Sequence, residues 1–145
     1  MVLKYLSKEL KHHKNMFCKI YTTGNDISEE LVLNLLTDVL HSSIIDGYIE
    51  DENYSIYVDT NEEYDNNKEK NFPDGFLYFK LIIEIEFIES VGTEILLNTT
   101  NKILECLWKM TYPAVASCNY EEKLIITGGY NNTNLPWPHW NWIRP

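Results

Sequence analysis

Residues 76–88 alternate with a period of two. Leu77, Phe79, Leu81, Ile83, Ile85 and Phe87 are apolar, and between them stand Tyr78, Lys80, Ile82, Glu84 and Glu86. Side chains on a strand point to alternate faces, so the spacing predicts one long strand with a dry face and a wetter one. A sheet covered by helices on one side needs that pattern. The wetter face carries charge and an aromatic ring, a surface open to a partner.

Helical spacing lies on either side of it. Leu31, Val32, Leu35, Leu36, Val39 and Leu40 recur at three and four positions and predict a helix ending near His41. Its start has two candidate caps, Asp26 with Glu29 three residues on, or Ser28 alone. Ile95, Leu96, Ile103, Leu104, Leu107 and Trp108 predict a second helix, opening at Val91, Gly92 and Thr93 and stopped by Pro113. Further strands are expected over residues 15–23, over 54–59 with Tyr48 and Ile49 ahead of it, and over 123–127, closed by Gly128 and Gly129.

The order is strand, helix, strand, strand, helix, strand. It predicts an α+β fold, a ferredoxin-like two-layer sandwich with a four-stranded antiparallel sheet and two helices on one face. Right-handed crossovers put the first and third strands in the middle. Leu77, Phe79, Leu81, Ile83 and Ile85 should then lie under the helices with Leu35, Leu36, Leu104 and Leu107. A chain of 145 residues makes one domain. Within it, residues 1–14 read as a basic N-terminal helix or arm, 15–130 as the α+β core, and 131–145 as a Trp/Pro-rich tail.

Charge changes this picture more than composition does. The formal net charge is -10, from 22 acidic against 12 basic side chains. That balance repels phosphate backbones, so no nucleic-acid partner is expected, and it favours a basic partner. No apolar run approaches the ~20 residues that cross a bilayer, and the N-terminus lacks the apolar core of a signal peptide. A soluble, cytoplasmic protein with no membrane partner is the expectation. Cys18, Cys106 and Cys118 form no C-x-x-C pair and read as reduced, buried thiols.

Candidate chemistry is sparse. Between residues 46 and 74 stand ten acids, Asp46, Glu50, Asp51, Glu52, Asp59, Glu62, Glu63, Asp65, Glu69 and Asp74, against two lysines, Lys68 and Lys70. The plain reading is a solvated loop, and the functional one is a negative patch that meets a positive one. A calcium loop would need a D-x-[DN]-x-[DN]-G run closed by a glutamate, which is not there. His12, His13, His41 and His139 fall into no metal-ligand spacing, and nothing in sequence places a base beside Cys118. Glu84 and Glu86 share one strand face about 7 Å apart, but a glycosidase also needs a sugar cleft. No catalytic residue, cofactor or metal is expected. The tail holds three of the four tryptophans among prolines, and those rings want burial against the body, across a dimer seam, or on another protein.

Asp74-Gly-Phe-Leu-Tyr-Phe79 at the head of the long strand, Ala116-Ser-Cys-Asn-Tyr-Glu121, and the Gly128-Gly129 pair stand in a small acidic chain. Over roughly residues 15–130 this resembles bacterial immunity proteins, the antidotes of contact-dependent and other polymorphic toxins. The resemblance implies a protein that binds one cognate toxin domain, with a nuclease as the expected chemistry, and blocks its active site or substrate groove. It assigns no residue by position. The acidic region supplies the candidate contacts: Glu50, Asp51, Glu52, Glu62, Glu63 and Asp65, with Tyr57 and Tyr64 as aromatic anchors. The rival is a dimeric ferredoxin-like small-molecule binder or small enzyme, whose sign would be an apolar cavity on the open sheet face. A homodimer is compatible with either reading.

Overall fold

The computed structural model describes residues 17–137. Within them the chain runs β1 (Phe17–Thr22), α1 (Glu29–Leu40), β2 (Ser43–Ile45), β3 (Tyr48–Glu50), β4 (Tyr54–Thr60), β5 (Leu81–Phe87), α2 (Thr93–Lys109) and β6 (Ala114–Ser117). The basic segment over residues 1–14, His12 and His13 within it, and His139, Trp140 and Trp142 of the tail lie outside the described residues.

Local chemistry sets the helix ends. Ser28 is extended and its side chain accepts the Leu31 amide at 3.1 Å, so Ser28 is the cap of α1. Asp26 instead accepts the Tyr112 hydroxyl at 3.2 Å. His41, left-handed at φ 56°, ends the helix. Helix α2 starts after Gly92 and finishes at Lys109, ahead of Pro113. Leu96, Ile103, Leu104 and Leu107 form its buried side together with Thr99 and Thr100, while Ile95 is exposed.

The described strands form one antiparallel sheet in the order β2-β3-β4-β5-β1-β6. Strands β1 and β5 occupy the middle of the β4-β5-β1-β6 group, where crossover reasoning puts them. Cys18, Ile20, Ile56, Val58, Leu81, Ile83, Ile85 and Phe87 share one core with Val32 and Leu36 of α1 and with Leu104 and Leu107 of α2. The two helices touch each other over that face. The layer arrangement is therefore α+β, with both helices on one side.

Several expectations need correction. Among the described residues the sheet has six strands rather than four, because Asp46 (φ 53°) and Gly47 (φ 86°) make a tight turn that folds β2 back on β3. Both central residues of such a turn need positive φ, which Asp-Gly supplies.

The long strand begins later than its alternation suggests. Residues Asp74–Tyr78 form a 3-10 turn, and Leu77 is 43% exposed. The side-chain amide of Asn61 donates to the carbonyls of Leu77 at 3.0 Å and Phe79 at 2.7 Å, taking bonds that a neighbouring strand would otherwise make.

The last strand is Ala114–Ser117, and Ile125–Gly129 forms a tight turn, not a strand. Ile126, Thr127, Gly128 and Gly129 all have positive φ there. A Cβ on Gly129 would stand 2.8 Å from both the Ala114 carbonyl oxygen and the Trp108 ring, so glycine lets this turn lie directly against β6.

A second, smaller core sits on the opposite sheet face. Tyr21 pairs with Val115, and both point away from the helices. Phe76, Phe79 and Trp137 pack over them with Phe72. Trp137 meets Phe79 edge-on at 5.1 Å and donates its indole N–H to the Glu69 carbonyl at 3.1 Å. Phe79, expected beneath the helices, belongs to this second core. Leu35, also expected there, is half-buried at the helix margin.

Candidate functional site

Among the described residues, the second core covers the β1–β6 end of that face, and the part over β2, β3, β4 and β5 is half-buried to exposed. Strand register reads its rows directly. One row runs Ser43, Glu50, Ser55, Glu86 and Phe17. The next pairs Ile45 with Tyr48, and Tyr57 with Glu84, then Lys19 and Ser117. A third runs Asp59, Ile82 and Tyr21, where it meets the second core.

Tyr48 and Tyr57 are neighbours across β3 and β4, with ring centroids 4.9 Å apart and planes 29° from parallel. Such a stack is rigid and apolar on its faces. The Tyr48 hydroxyl donates to Glu50 at 3.1 Å. That hydrogen bond, and then the Glu50 charge, push the Tyr48 hydroxyl above its usual value. Glu50, Asp59, Glu84 and Glu86 thus surround the tyrosine pair, with Lys19 set opposite Glu84. The arrangement joins an aromatic platform to a strongly negative field, which suits a cationic protein surface.

The acidic residues expected to act together divide into two groups. Glu50, Asp51 and Glu52 lie at one end of β4, and Glu62, Glu63, Tyr64 and Asp65 follow its other end, about 20 Å away by the rise per residue. Tyr57 lies between them, half-buried in its stack. Glu52, Glu62, Glu63 and Tyr64 are exposed.

Several acids have structural employment instead. Asp51 accepts the Asn53 amide at 3.0 Å. Asp65 accepts the amides of Asn67 at 2.9 Å and Lys68 at 3.0 Å, and these bonds hold its carboxyl below the usual range. Asp74 accepts the Tyr130 hydroxyl at 2.7 Å. Glu69 is buried, and its Oε1 accepts the Thr23 hydroxyl at 2.8 Å.

Tyr48, Asp59, Glu84, Glu86 and Ile45 join the face although sequence reasoning did not count them as contacts. Their signal is the alternation in β4 and β5 together with the Asp46-Gly47 turn that makes the β2–β3 hairpin.

A groove of about 570 Å³ lies elsewhere, along α1, lined by Leu31, Leu35, Asn34, Asp38 and Met110 among others. Among the described residues no group of three or more His, Cys, Asp or Glu side chains could hold a metal ion. No described helix is long and apolar enough to cross a membrane. No protein-family model, curated protein or solved structure matches this chain.

Proposed function

We propose that the chain is a binding protein of the immunity class, which neutralises one cognate toxin domain by covering its active site or substrate groove. The observation that carries this reading is the open sheet face: the Tyr48–Tyr57 stack among Glu50, Asp59, Glu84 and Glu86. A nuclease groove is basic because it holds phosphates, and a negative sheet face fills the same field. Charge speeds the encounter and excludes wrong partners, while the tyrosine pair supplies the desolvated contact that slows departure. Glu62, Glu63 and Tyr64 extend the acidic surface at one margin, and Glu52 at the other. Asp51 and Asp65 help to shape those margins through their backbone bonds.

The β6-β1-β5-β4 group with α1 and α2 has the strand order of two split β-α-β units, a ferredoxin-like sandwich to which the β2–β3 hairpin adds an extension. The hairpin widens the exposed face beyond four strands. The site of action proposed is the cytoplasm, where a delivered nuclease meets its substrate.

Co-expression tests the function. The chain should restore growth to cells producing a toxin domain taken from the genes that flank its own, and should co-purify with it in a defined ratio. Failure both to bind and to protect would overturn the assignment.

A further inference from the structure

Cys18 and Cys118 face each other across the β1–β6 ladder. Pairing runs Thr22 with Ala114, Tyr21 with Val115, Ile20 with Ala116 and Lys19 with Ser117, and one step further sets Cys18 opposite Cys118. The Thr23 amide donates to the Pro113 carbonyl at 3.3 Å, so that pair is hydrogen-bonded. Hydrogen-bonded and non-hydrogen-bonded pairs alternate along an antiparallel ladder, which makes Cys18–Cys118 a non-hydrogen-bonded pair. The Cys118 amide agrees with this, since it donates to Glu121 at 3.0 Å instead of to β1. Pairs of that kind hold their Cα atoms about 4.5 Å apart, inside the roughly 4.4–6.8 Å a disulfide needs. Both side chains pack into the helix-side core.

We propose that Cys18 and Cys118 form a two-thiol oxidation site, which a hydroperoxide converts reversibly into a cross-strand disulfide. The two positions differ in the way this chemistry requires. Cys18 is 1% exposed, whereas Cys118 is only partly buried just past the end of β6. The neighbouring Cys18 thiol holds the Cys118 thiol below its ordinary value, helped by the Tyr120 amide and opposed by burial and by Glu121. The same contact, with burial, pushes Cys18 up. Tyr120, its hydroxyl bonded to Thr100 at 3.1 Å, packs with Cys118 against the core that holds Cys18.

Cys118 thiolate attacks the peroxide, the O–O bond breaks, and the sulfur keeps one oxygen as a sulfenic acid. The second oxygen leaves as water, or as an alcohol from an organic peroxide. Cys18 sulfur then attacks the Cys118 sulfur, and the S–O bond breaks. The departing hydroxide takes the Cys18 proton and leaves as water. Two electrons pass from the two thiols to the peroxide, and a dithiol reductant reverses the change.

The test treats the full folded chain with graded hydrogen peroxide, blocks free thiols, and maps peptides by mass. A peptide linked through Cys18 and Cys118 is expected, cleaved by dithiothreitol, with Cys106 of α2 still alkylated. The oxidised chain should melt several degrees higher than the reduced one, because the link closes a long loop. Cys18→Ala should leave a dimedone-reactive sulfenic acid on Cys118, and Cys118→Ala should leave Cys18 a thiol. Folded protein that keeps both thiols at doses that oxidise free cysteine would overturn the proposal. So would first oxidation at Cys106, or a linked form that melts lower.

Discussion

Glu69 stands among the acids of residues 46–74, yet it is only 7% exposed and accepts the Thr23 hydroxyl at 2.8 Å. Burial raises its carboxyl above the ordinary glutamate value, against the opposing pull of the Thr23 bond and of Lys70 and Lys80. The folded chain therefore binds that proton more tightly than the unfolded chain does. Stability from this group is full below the unfolded value, falls as pH rises through the raised value, and stays lower above it. Glu69→Gln keeps an acceptor for Thr23 and abolishes the titration. The stability of the variant relative to the parent should rise with pH across that window, measured by urea unfolding at several pH values; a difference that shrinks as pH rises would contradict the assignment.

Gly129 makes a second residue-scale case, since its φ of 91° and its contacts with Ala114 and Trp108 exclude a side chain. Gly129→Ala should cost about 1–3 kcal/mol in the same unfolding measurement. A neutral result would mean the turn relaxes away from β6. At this scale the sequence is ambiguous for a simple reason. A carboxylate in a polar run reads as solvated, and only the Thr23 and Trp137 contacts, 46 and 68 residues away, reveal Glu69 as a buried one.

Elements were legible where periodicity was long and undisturbed. The stripe of α1, the buried side of α2 apart from Ile95, and the alternation through Leu81, Ile83, Ile85 and Phe87 all follow from spacing. The β2–β3 hairpin escaped because its strands are three residues each, too short for alternation to register, although Asp46-Gly47 carried the turn signal. Residues 76–79 misled for a different reason. Their alternation is real, but Asn61 captures the backbone carbonyls and turns Phe76 and Phe79 into the second core. β6 was missed because Ala114-Val-Ala-Ser117 is short and poor in large side chains, while Leu124-Ile-Ile-Thr127 had the better strand composition.

The second core depends on one ring from the tail. Trp137→Ala should cost about 3–5 kcal/mol. Hydrogen exchange should show the loss concentrated in residues 61–79, with α1 and β4 still protected. Uniform loss of protection would mean that the two cores unfold as one.

For the molecule as a whole, a net charge of -10 favours a basic partner but does not place the contact. Linear clustering pointed to residues 46–74, whereas folding separates that cluster along β4 and adds Glu84 and Glu86 from β5. Charge that is contiguous in sequence is not contiguous in space when a strand runs through it. The proposed function stands on the face that register assembles, so the decisive contrast lies between two pairs of acids. Stopped-flow association with the cognate toxin domain that the proposal requires should be followed across a salt series. Glu50→Lys with Glu84→Lys should slow association roughly tenfold or more at low salt and flatten its salt dependence. That pair should cost the fold only about 1 kcal/mol, since a lysine at position 84 faces Lys19. Glu62→Lys with Glu63→Lys, at the margin, should slow association less. Association left unchanged by the first pair and strongly slowed by the second would remove the sheet face from the interface and put the loop after β4 in its place.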